Sequence, residues 1–351
     1  TLGAVNGRIR TPALDRLCVE GTRFDRAYCP NPTCTPTRAT ILTGMMPSEH
    51  GAWSLGTKLF EDVPVIGDML SAAGYATSLV GKAHFQPLAS EPGYESIECQ
   101  PLLRDLDFWR DFHGPWYGFE HVETARMHGC ESHVGQHYAI WMEEQGFTDW
   151  PELFEDWPRN PEKQNQLRAN MTWAIPERYH YTTWTGERTV ARIEQAVVEE
   201  RPFFIWSSFH DPHPPYVVPE PWASMYDPAD MVPGRLVEGE HDGNAPHFGK
   251  TQTDDPGWWQ SLRGAQWIHG GHSHLHEEDW LRRAMATYYG MVSFMDSQIG
   301  RILDALDRTG QAENTLVVFT TDHGHFLGQH GLIAKAIHHY EDLLRIPFIV
   351  R

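Results

Sequence analysis

The sequence lacks a long apolar run. None of its apolar stretches approaches the roughly 18 residues that a membrane-spanning helix requires. Apolar residues make up 40% and charged residues 21% of the 351-residue chain, which is the composition of an ordinary globular protein. We therefore expect a globular domain with a sizeable core and no membrane span.

Basic residues are also scarce. The chain has 28 lysines and arginines against 47 acidic residues, a net charge of -19. Because neutralisation of phosphates needs a basic face, this balance argues against a nucleic-acid partner. A small substrate site can still be locally positive inside an acidic protein.

Cysteines are few and follow no paired pattern. The five are Cys18, Cys29, Cys34, Cys99 and Cys130. An odd count without a CxxC pair argues against a disulfide scaffold and against a thiolate zinc site. Reduced cysteines favour the cytoplasm over the periplasm as the compartment.

Apolar strand-like runs alternate with helical patterns along the chain, which predicts an α/β fold. Continuous apolar runs indicate a buried, largely parallel central sheet with helices on both faces. We expect a single domain over 1–351, with irregular excursions at about 91–200 and 216–276, where Trp, Pro and His are frequent. Helices are predicted from Thr11 to Gly21, just after Cys34, and over the long pattern that Gly310 closes.

Polar motifs follow three of the predicted strands. "GKAH" follows Ala76–Val80, "HDPH" follows Phe203–Phe209, and "TDHG" follows Thr315–Thr320. In open parallel sheets, ligands bind beyond the carboxyl ends of the strands. The three motifs are therefore expected to meet in one site.

The stretch "CTPTRATILTG" places Cys34 beside a predicted helix start, where free N–H groups and the helix dipole favour an anion. With "GKAH", "DPHPPY", "TTDHG" and "GLIAK…YED" in the same order, Cys-Thr-Pro-Thr-Arg resembles the signature of the formylglycine-dependent sulfatases, which have an alkaline-phosphatase-like fold. The resemblance covers nearly the whole chain. It implies hydrolysis of a small-molecule or saccharide sulfate monoester by cleavage of the S–O bond.

The resemblance also implies that Cys34 is oxidised to formylglycine, with a formylglycine-generating enzyme as maturation partner. One hydroxyl of the hydrated aldehyde attacks sulfur, and the other lets the carbonyl reform and expel sulfate. Arg38 resembles the arginine that holds the modified residue. Lys82 and Lys335 resemble the two lysines that contact sulfate, and His213 resembles the histidine that protonates the leaving oxygen. His84 resembles the histidine that takes the hydroxyl proton during sulfate release.

Asp322 and His323 resemble the metal ligands of the family, together with the modified Cys34. The Asp oxygen suits calcium first, or magnesium, and the His nitrogen extends the choice to manganese. The family's other two metal carboxylates form an Asp-Asp pair on a first strand that would precede Thr1. We expect that this strand and a C-terminal subdomain are absent from this sequence, so that the chain alone binds metal poorly. His325 also replaces a carboxylate that is frequent in relatives.

Two further histidine groups have weaker signals. His210 and Asp211 are interpreted as residues that order the loop around His213. The group at His269, His272, His274 and His276 has no zinc-finger spacing, and a loop before the next helix is the preferred interpretation.

Three alternatives stay open. A phosphonate monoester or phosphodiester hydrolase would resemble sulfatases in fold, nucleophile and metal pair, often with the Asp-His version seen here. A binding pseudoenzyme would keep Cys34 as a thiol. A cysteine hydrolase with a histidine base would explain neither the Asp322-His323 pair nor the two lysines.

Overall fold

The computed structural model describes residues 2–154, 171–250, 277–335 and 338–351. The strands are β1 (Thr22–Tyr28), β2 (Ala76–Gly81), β3 (His121–Thr124), β4 (Phe203–Ser208), β5 (Val318–Thr320), β6 (Phe326–Leu327), β7 (Ile333–Ala334) and β8 (Arg345–Val350). The helices are α1 (Pro12–Glu20), α2 (Cys34–Thr43), α3 (Pro47–His50), α4 (Ile66–Ala72), α5 (Leu106–Asp111), α6 (Gln136–Glu144), α7 (Tyr181–Val198), α8 (Pro246–Lys250), α9 (Glu278–Arg308) and α10 (Glu341–Leu344). The predicted α/β class is confirmed.

One sheet is parallel and has the strand order β3-β2-β4. Ser78 of β2 lies opposite His121 of β3, and Ala76 lies opposite Phe203 of β4. Every residue of β2 is buried, as expected for a strand with neighbours on both edges and covered faces.

Both faces of this sheet are covered, because alternate residues of β4 pack against two different core clusters. Phe203 and Ile205 pack against the core cluster that includes residues of α9. Phe204 and Trp206 pack against a different cluster, which includes Leu42 of α2. Because successive side chains of a strand point to opposite faces, the two clusters lie on opposite sides of the sheet.

A second sheet has the order β1-β8-β5 and is antiparallel. Parallel pairing was expected for most of the structure, and it is found in β3-β2-β4 but not here. An apolar run predicts a strand without fixing its direction. Between β5 and β8, the described residues 321–335 and 338–344 include a short hairpin and one short helix, and not the long crossover helix that parallel pairing normally uses.

The long helix α9 anchors the start of the chain. Asp296 on α9 accepts hydrogen bonds from the backbone N–H groups of Ala13 at 3.0 Å and Leu14 at 2.8 Å. These amides lie in the first turn of α1, where intrahelical partners are missing. Within the described ranges, no helix is both long and apolar enough to cross a bilayer.

The described residues 91–154 and 171–200 are more regular than their composition indicated, because α5, β3, α6 and α7 lie there. The aromatic residues that suggested irregular loops are core residues instead. Trp109, Tyr138 and Trp184 have no exposed surface, and α7 packs against β2 and β4.

Candidate active site

The candidate site forms where β2, β4 and β5 end and α2 begins. Lys82 directly follows β2, and Cys34 is the first residue of α2. The last position of β2 requires glycine, since a Cβ on Gly81 would lie 2.1 Å from the carbonyl oxygen of Ser208. Gly81 also has a φ of 102°, which favours glycine.

Cys34 is buried, with 1% of its surface exposed. The Lys335 ammonium donates to its Sγ at 2.6 Å, and that of Lys82 donates at 3.7 Å. His323 Nε2 lies 3.3 Å from the same Sγ. Together with the N-terminus of α2, these groups stabilise negative charge on residue 34.

The pKa values follow from this arrangement. Burial raises the pKa of the Cys34 thiol, but the charges of Lys335, Lys82 and His323 outweigh burial and lower the pKa to about 5. Burial also lowers the pKa of Lys82, to about 8. For Asp322, the neighbouring His323, Lys82 and Arg38 outweigh burial and hold the carboxyl pKa far below its usual range.

Arg38 lies one turn after Cys34 and joins α2 to the ends of β2 and β4. Its guanidinium donates to the backbone carbonyl of Ala83 at 2.7 Å, to that of Lys82, and to Ser208 Oγ at 2.6 Å. Its Nη1 also lies 3.8 Å from the Asp322 carboxylate. Arg38 therefore fixes the helix start that carries Cys34 relative to Asp322.

Three side chains offer a metal-binding group: the ligand atoms of Cys34, Asp322 and His323 all lie within 4.8 Å of one another. His323 Nδ1 donates to the carbonyl of Gly324 at 2.8 Å, which directs Nε2 toward residue 34, where its deprotonated form can bind a metal ion. A carboxylate oxygen with an imidazole nitrogen is a donor set that suits a divalent cation. The residues present thus fit a metal ion, with residue 34 as a further ligand.

Lys335 connects this group to His213. Its Nζ lies 3.1 Å from His323 Nε2 and 3.3 Å from His213 Nε2. His213 Nδ1 donates to the carbonyl of Pro214 at 2.5 Å, which turns Nε2 toward the site. The ring of His213 stacks on that of His128 at 3.8 Å between centroids.

His84 lies on the same side, with its ring 6.0 Å from that of His128. Glu98 holds its backbone, because a Glu98 oxygen accepts from the His84 N–H at 2.8 Å. Burial and the charges of Arg126 and Lys82 hold the pKa of His84 well below its usual value. A neutral imidazole in this position can accept a proton.

His210 and Asp211 order the loop that carries His213. His210 Nε2 donates to the carbonyl of Ala125 at 2.8 Å. The carboxylate of Asp211 accepts from Tyr181 Oη at 2.5 Å and from Thr182 Oγ1 at 2.6 Å. Burial raises the pKa of Asp211 to about 7.

The site contains residues that the sequence reasoning missed. Arg126 is 1% exposed, lies 3.6 Å from the Glu98 carboxylate, and interacts electrostatically with Cys34. Both Arg126 and His128 follow β3, which was not predicted as a strand. The signal was present, since "HVETARMHG" is a short strand pattern followed by polar residues, as at the other three strand ends.

The histidine group His269, His272, His274 and His276 lies outside the described residues, so its interpretation as a loop stays a prediction. The five cysteines are all described, and none forms a disulfide.

Residues 1–351 match the family model described as Sulfatase. The chain is 30% identical over 347 residues to the multifunctional alkaline phosphatase superfamily protein PehA of Trinickia caryophylli, covering 98% of this chain and 62% of that protein. It is 28% identical over 363 residues to an arylsulfatase of Clostridium perfringens, covering 99% of this chain and 64% of that protein. Its fold is similar to that of the phosphonate monoester hydrolase SpPMH of Silicibacter pomeroyi, with a TM-score of 0.72 and 25% identity, covering 99% and 64% of the two chains.

The chain thus spans somewhat less than two thirds of the length of these relatives. The comparisons show the family and the fold. They leave the activity and the substrate of the whole protein to be inferred from the site.

Proposed function

The chain belongs to the sulfatase family, and we propose that it hydrolyses a sulfate monoester at the S–O bond, with residue 34 as nucleophile and a divalent metal ion. One observation carries the proposal. A buried residue at a helix N-terminus is surrounded by two lysines, a carboxylate and an imidazole that face a single atom, Cys34 Sγ. A group with several oxygens and negative charge is the ligand that such a pocket favours.

The surroundings of Cys34 fit a formylglycine. Lys335 and Lys82 donate toward the Sγ position, so an oxygen-bearing group there would find hydrogen-bond donors instead of an apolar wall. When present, the hydrated aldehyde supplies one hydroxyl as nucleophile and a second whose deprotonation lets sulfate leave. Formation of this group needs a formylglycine-generating enzyme as a maturation partner.

Asp322 and His323 would hold the metal ion, with residue 34 completing the group seen here. The ion would supply positive charge that polarises the sulfate and lowers the pKa of the nucleophile. Calcium fits the hard carboxylate best, and the imidazole keeps magnesium and manganese as alternatives.

The remaining residues divide between binding and proton transfer. Lys82 and Lys335 face residue 34 from two strand ends and would hold the oxygens of the sulfate. His213 Nε2, 3.3 Å from the Lys335 ammonium, would donate a proton to the leaving alcohol oxygen. His84, which is neutral, would accept the proton that is released from residue 34 in the second half of the reaction.

A phosphonate monoester hydrolase is the second candidate. It is favoured by the similarity to PehA and to the SpPMH structure and by the Asp322-His323 metal pair. A sulfate monoester carries one negative charge and a phosphonate monoester also carries one, so charge alone does not separate the two substrates.

A side-by-side measurement of kcat/KM separates these candidates. The purified protein is given an aryl sulfate and an aryl phosphonate monoester with the same leaving group, and Cys34→Ala serves as the control for background hydrolysis. We expect the sulfate to be the better substrate. A higher kcat/KM for the phosphonate monoester would overturn the proposed substrate class while keeping the site, and equal rates in wild type and Cys34→Ala would overturn the site itself.

A further inference from the structure

A loop between β3 and α6 brings three metal-binding side chains together beside the candidate site: His128, Glu131 and His133. The loop is well fixed. The backbone N–H of Glu131 donates to the carbonyl of His128 at 3.0 Å, which forms a tight turn between these two residues. The Arg104 side chain donates to the carbonyl of Ser132 at 2.6 Å and to that of Val134 at 3.2 Å.

The three side chains converge on one point. His133 Nε2 lies 3.0 Å from His128 Nδ1. The carboxylate oxygen Oε2 of Glu131 lies 3.4 Å from His128 Nδ1 and 3.2 Å from His133 Nε2. The three ligand atoms therefore form a nearly equilateral triangle, and His128 and Glu131 are buried.

Either protons or a metal ion can hold this triangle together. With one proton between the two facing nitrogens, one ring donates to the other at 3.0 Å. With a proton on both nitrogens, each N–H has the Glu131 carboxylate oxygen within 3.4 Å. A metal ion at the centre would replace these protons, because each nitrogen and the carboxylate oxygen can then offer it a lone pair.

The spacing and the chemistry of the atoms select the cation. Ligands at about 2.0–2.1 Å from a tetrahedral zinc ion lie about 3.3–3.4 Å from one another, close to the separations found here. Two imidazole nitrogens with one carboxylate suit zinc and its neighbours in the first transition row, whereas calcium and magnesium prefer oxygen ligands. We propose that His128, Glu131 and His133 form a second metal site, distinct from the Cys34-Asp322-His323 group, which binds a divalent transition-metal ion of the zinc class.

The second site lies close to the first. His128 stacks on His213 at 3.8 Å between ring centroids, so one imidazole ring separates the proposed ion from a residue of the candidate active site. Three protein ligands leave a fourth position for water or for an oxygen of a bound ligand. This proposal does not rest on the proposed function, because it uses none of the residues assigned to sulfate hydrolysis.

The test measures zinc binding in protein that carries Cys34→Ala, so that neither a thiolate nor a modified residue 34 contributes. The protein is stripped with a chelator and titrated with Zn²⁺ by calorimetry, and metal content is measured after gel filtration. Cys34→Ala protein is expected to bind zinc, and the added His133→Gln change is expected to remove one equivalent. X-ray absorption at the zinc edge should show nitrogen and oxygen ligands at about 2.0–2.1 Å and no sulfur near 2.3 Å.

His121→Gln in the same background is the matched control. His121 also lies 2.9 Å from a carboxylate, that of Glu123, but belongs to no three-ligand group in the described part of the chain. It should leave the zinc stoichiometry unchanged. Glu131→Gln, which keeps the side-chain shape, serves as a second variant should His133→Gln fail to fold, as judged by its thermal unfolding.

Two outcomes would overturn the proposal. One is a Cys34→Ala protein that takes up no zinc at micromolar concentration. The other is zinc binding with the same stoichiometry and affinity after His133→Gln or Glu131→Gln, which would place the ion elsewhere.

Discussion

Two sides of the candidate site are equally buried but differ in charge. The cationic side consists of Arg38, Lys82 and Lys335, and the imidazole side consists of His84, His128 and His210. Each of these six residues is at most 6% exposed. Burial disfavours the charged form on both sides, yet only the cationic side keeps its charge.

The difference comes from the higher ordinary pKa values of lysine and arginine and from the anions that the cationic side contacts. Lys82 and Lys335 donate to Cys34 Sγ, and Arg38 lies 3.8 Å from the Asp322 carboxylate. On the imidazole side, burial and the charges of the cationic side together lower the pKa of His84 and of His210, to about 3 for His210. One side is thus suited to holding an anion, and its charges keep the other side in the neutral form that accepts protons.

The strongest way to disturb the cationic side is to remove its carboxylate. Asp322→Ala should lose the metal ion of the Cys34-Asp322-His323 group and also turnover, because it deletes a proposed metal ligand and the carboxylate that Arg38 faces. Metal content per chain and steady-state rate with an aryl sulfate measure this. The control is Asp304→Ala on the exposed face of α9, which should change neither. Full turnover of Asp322→Ala protein that has lost one metal equivalent relative to wild type would contradict the assignment.

Removal of one cation should have the next largest effect. Lys335→Ala should slow transfer to residue 34 by about 10²–10³, the usual cost of losing one preorganised electrostatic contact. The loss should be greater for poor leaving groups than for good ones. Lys58→Ala is the control, since its ammonium pairs with Glu61 at 3.3 Å instead of facing Cys34. A Lys335→Ala rate within twofold of wild type would remove this lysine from the mechanism.

Changing the imidazole side should act on a different step. His84→Ala should leave the first turnover nearly unchanged and slow the steady state by roughly 10², the lower end of what a general acid or base contributes. Rapid mixing with an activated aryl ester should then show a product burst before the slow phase. A burst in Lys335→Ala with none in His84→Ala would mean that the two roles are exchanged.

The smallest expected effect concerns stability alone. Burial raises the pKa of Asp211 to about 7 in the folded protein, above its ordinary value of about 3.9 in an unfolded chain. The contribution of Asp211 to folding is therefore greatest at low pH and is lost as pH rises from about 4 to 7. Relative to wild type, Asp211→Asn should gain free energy of unfolding over that range in urea titrations. A constant difference between the two proteins across this range would contradict the raised pKa.

The strand ends and the helix start could be predicted from sequence because each combines a strong local pattern with a polar motif. The predicted strand Ala76–Val80 differs from β2 by one residue, and Phe203–Phe209 differs from β4 by one residue. β5 is shorter than predicted, since it begins at Val318 and not at Thr315.

Features that depend on distant parts of the chain were not predictable. Lys335 and Cys34 are 301 positions apart and lie 2.6 Å apart in space. Only the family resemblance placed them in one site, because no local sequence pattern connects them. The antiparallel direction of β8 depends on how residues 321–344 are connected. Arg126 was missed because β3 has only four residues, so that its strand pattern, although present in the sequence, gives no clear periodicity.

The central claim is that residue 34 is a chemically modified nucleophile. The direct measurement is the mass of the tryptic peptide that contains residue 34, taken from active protein, together with its reaction with a hydrazide. We predict a residue lighter than cysteine that carries an aldehyde and forms the hydrazone. An unmodified Cys34 that is alkylated as a free thiol in fully active protein would contradict the account.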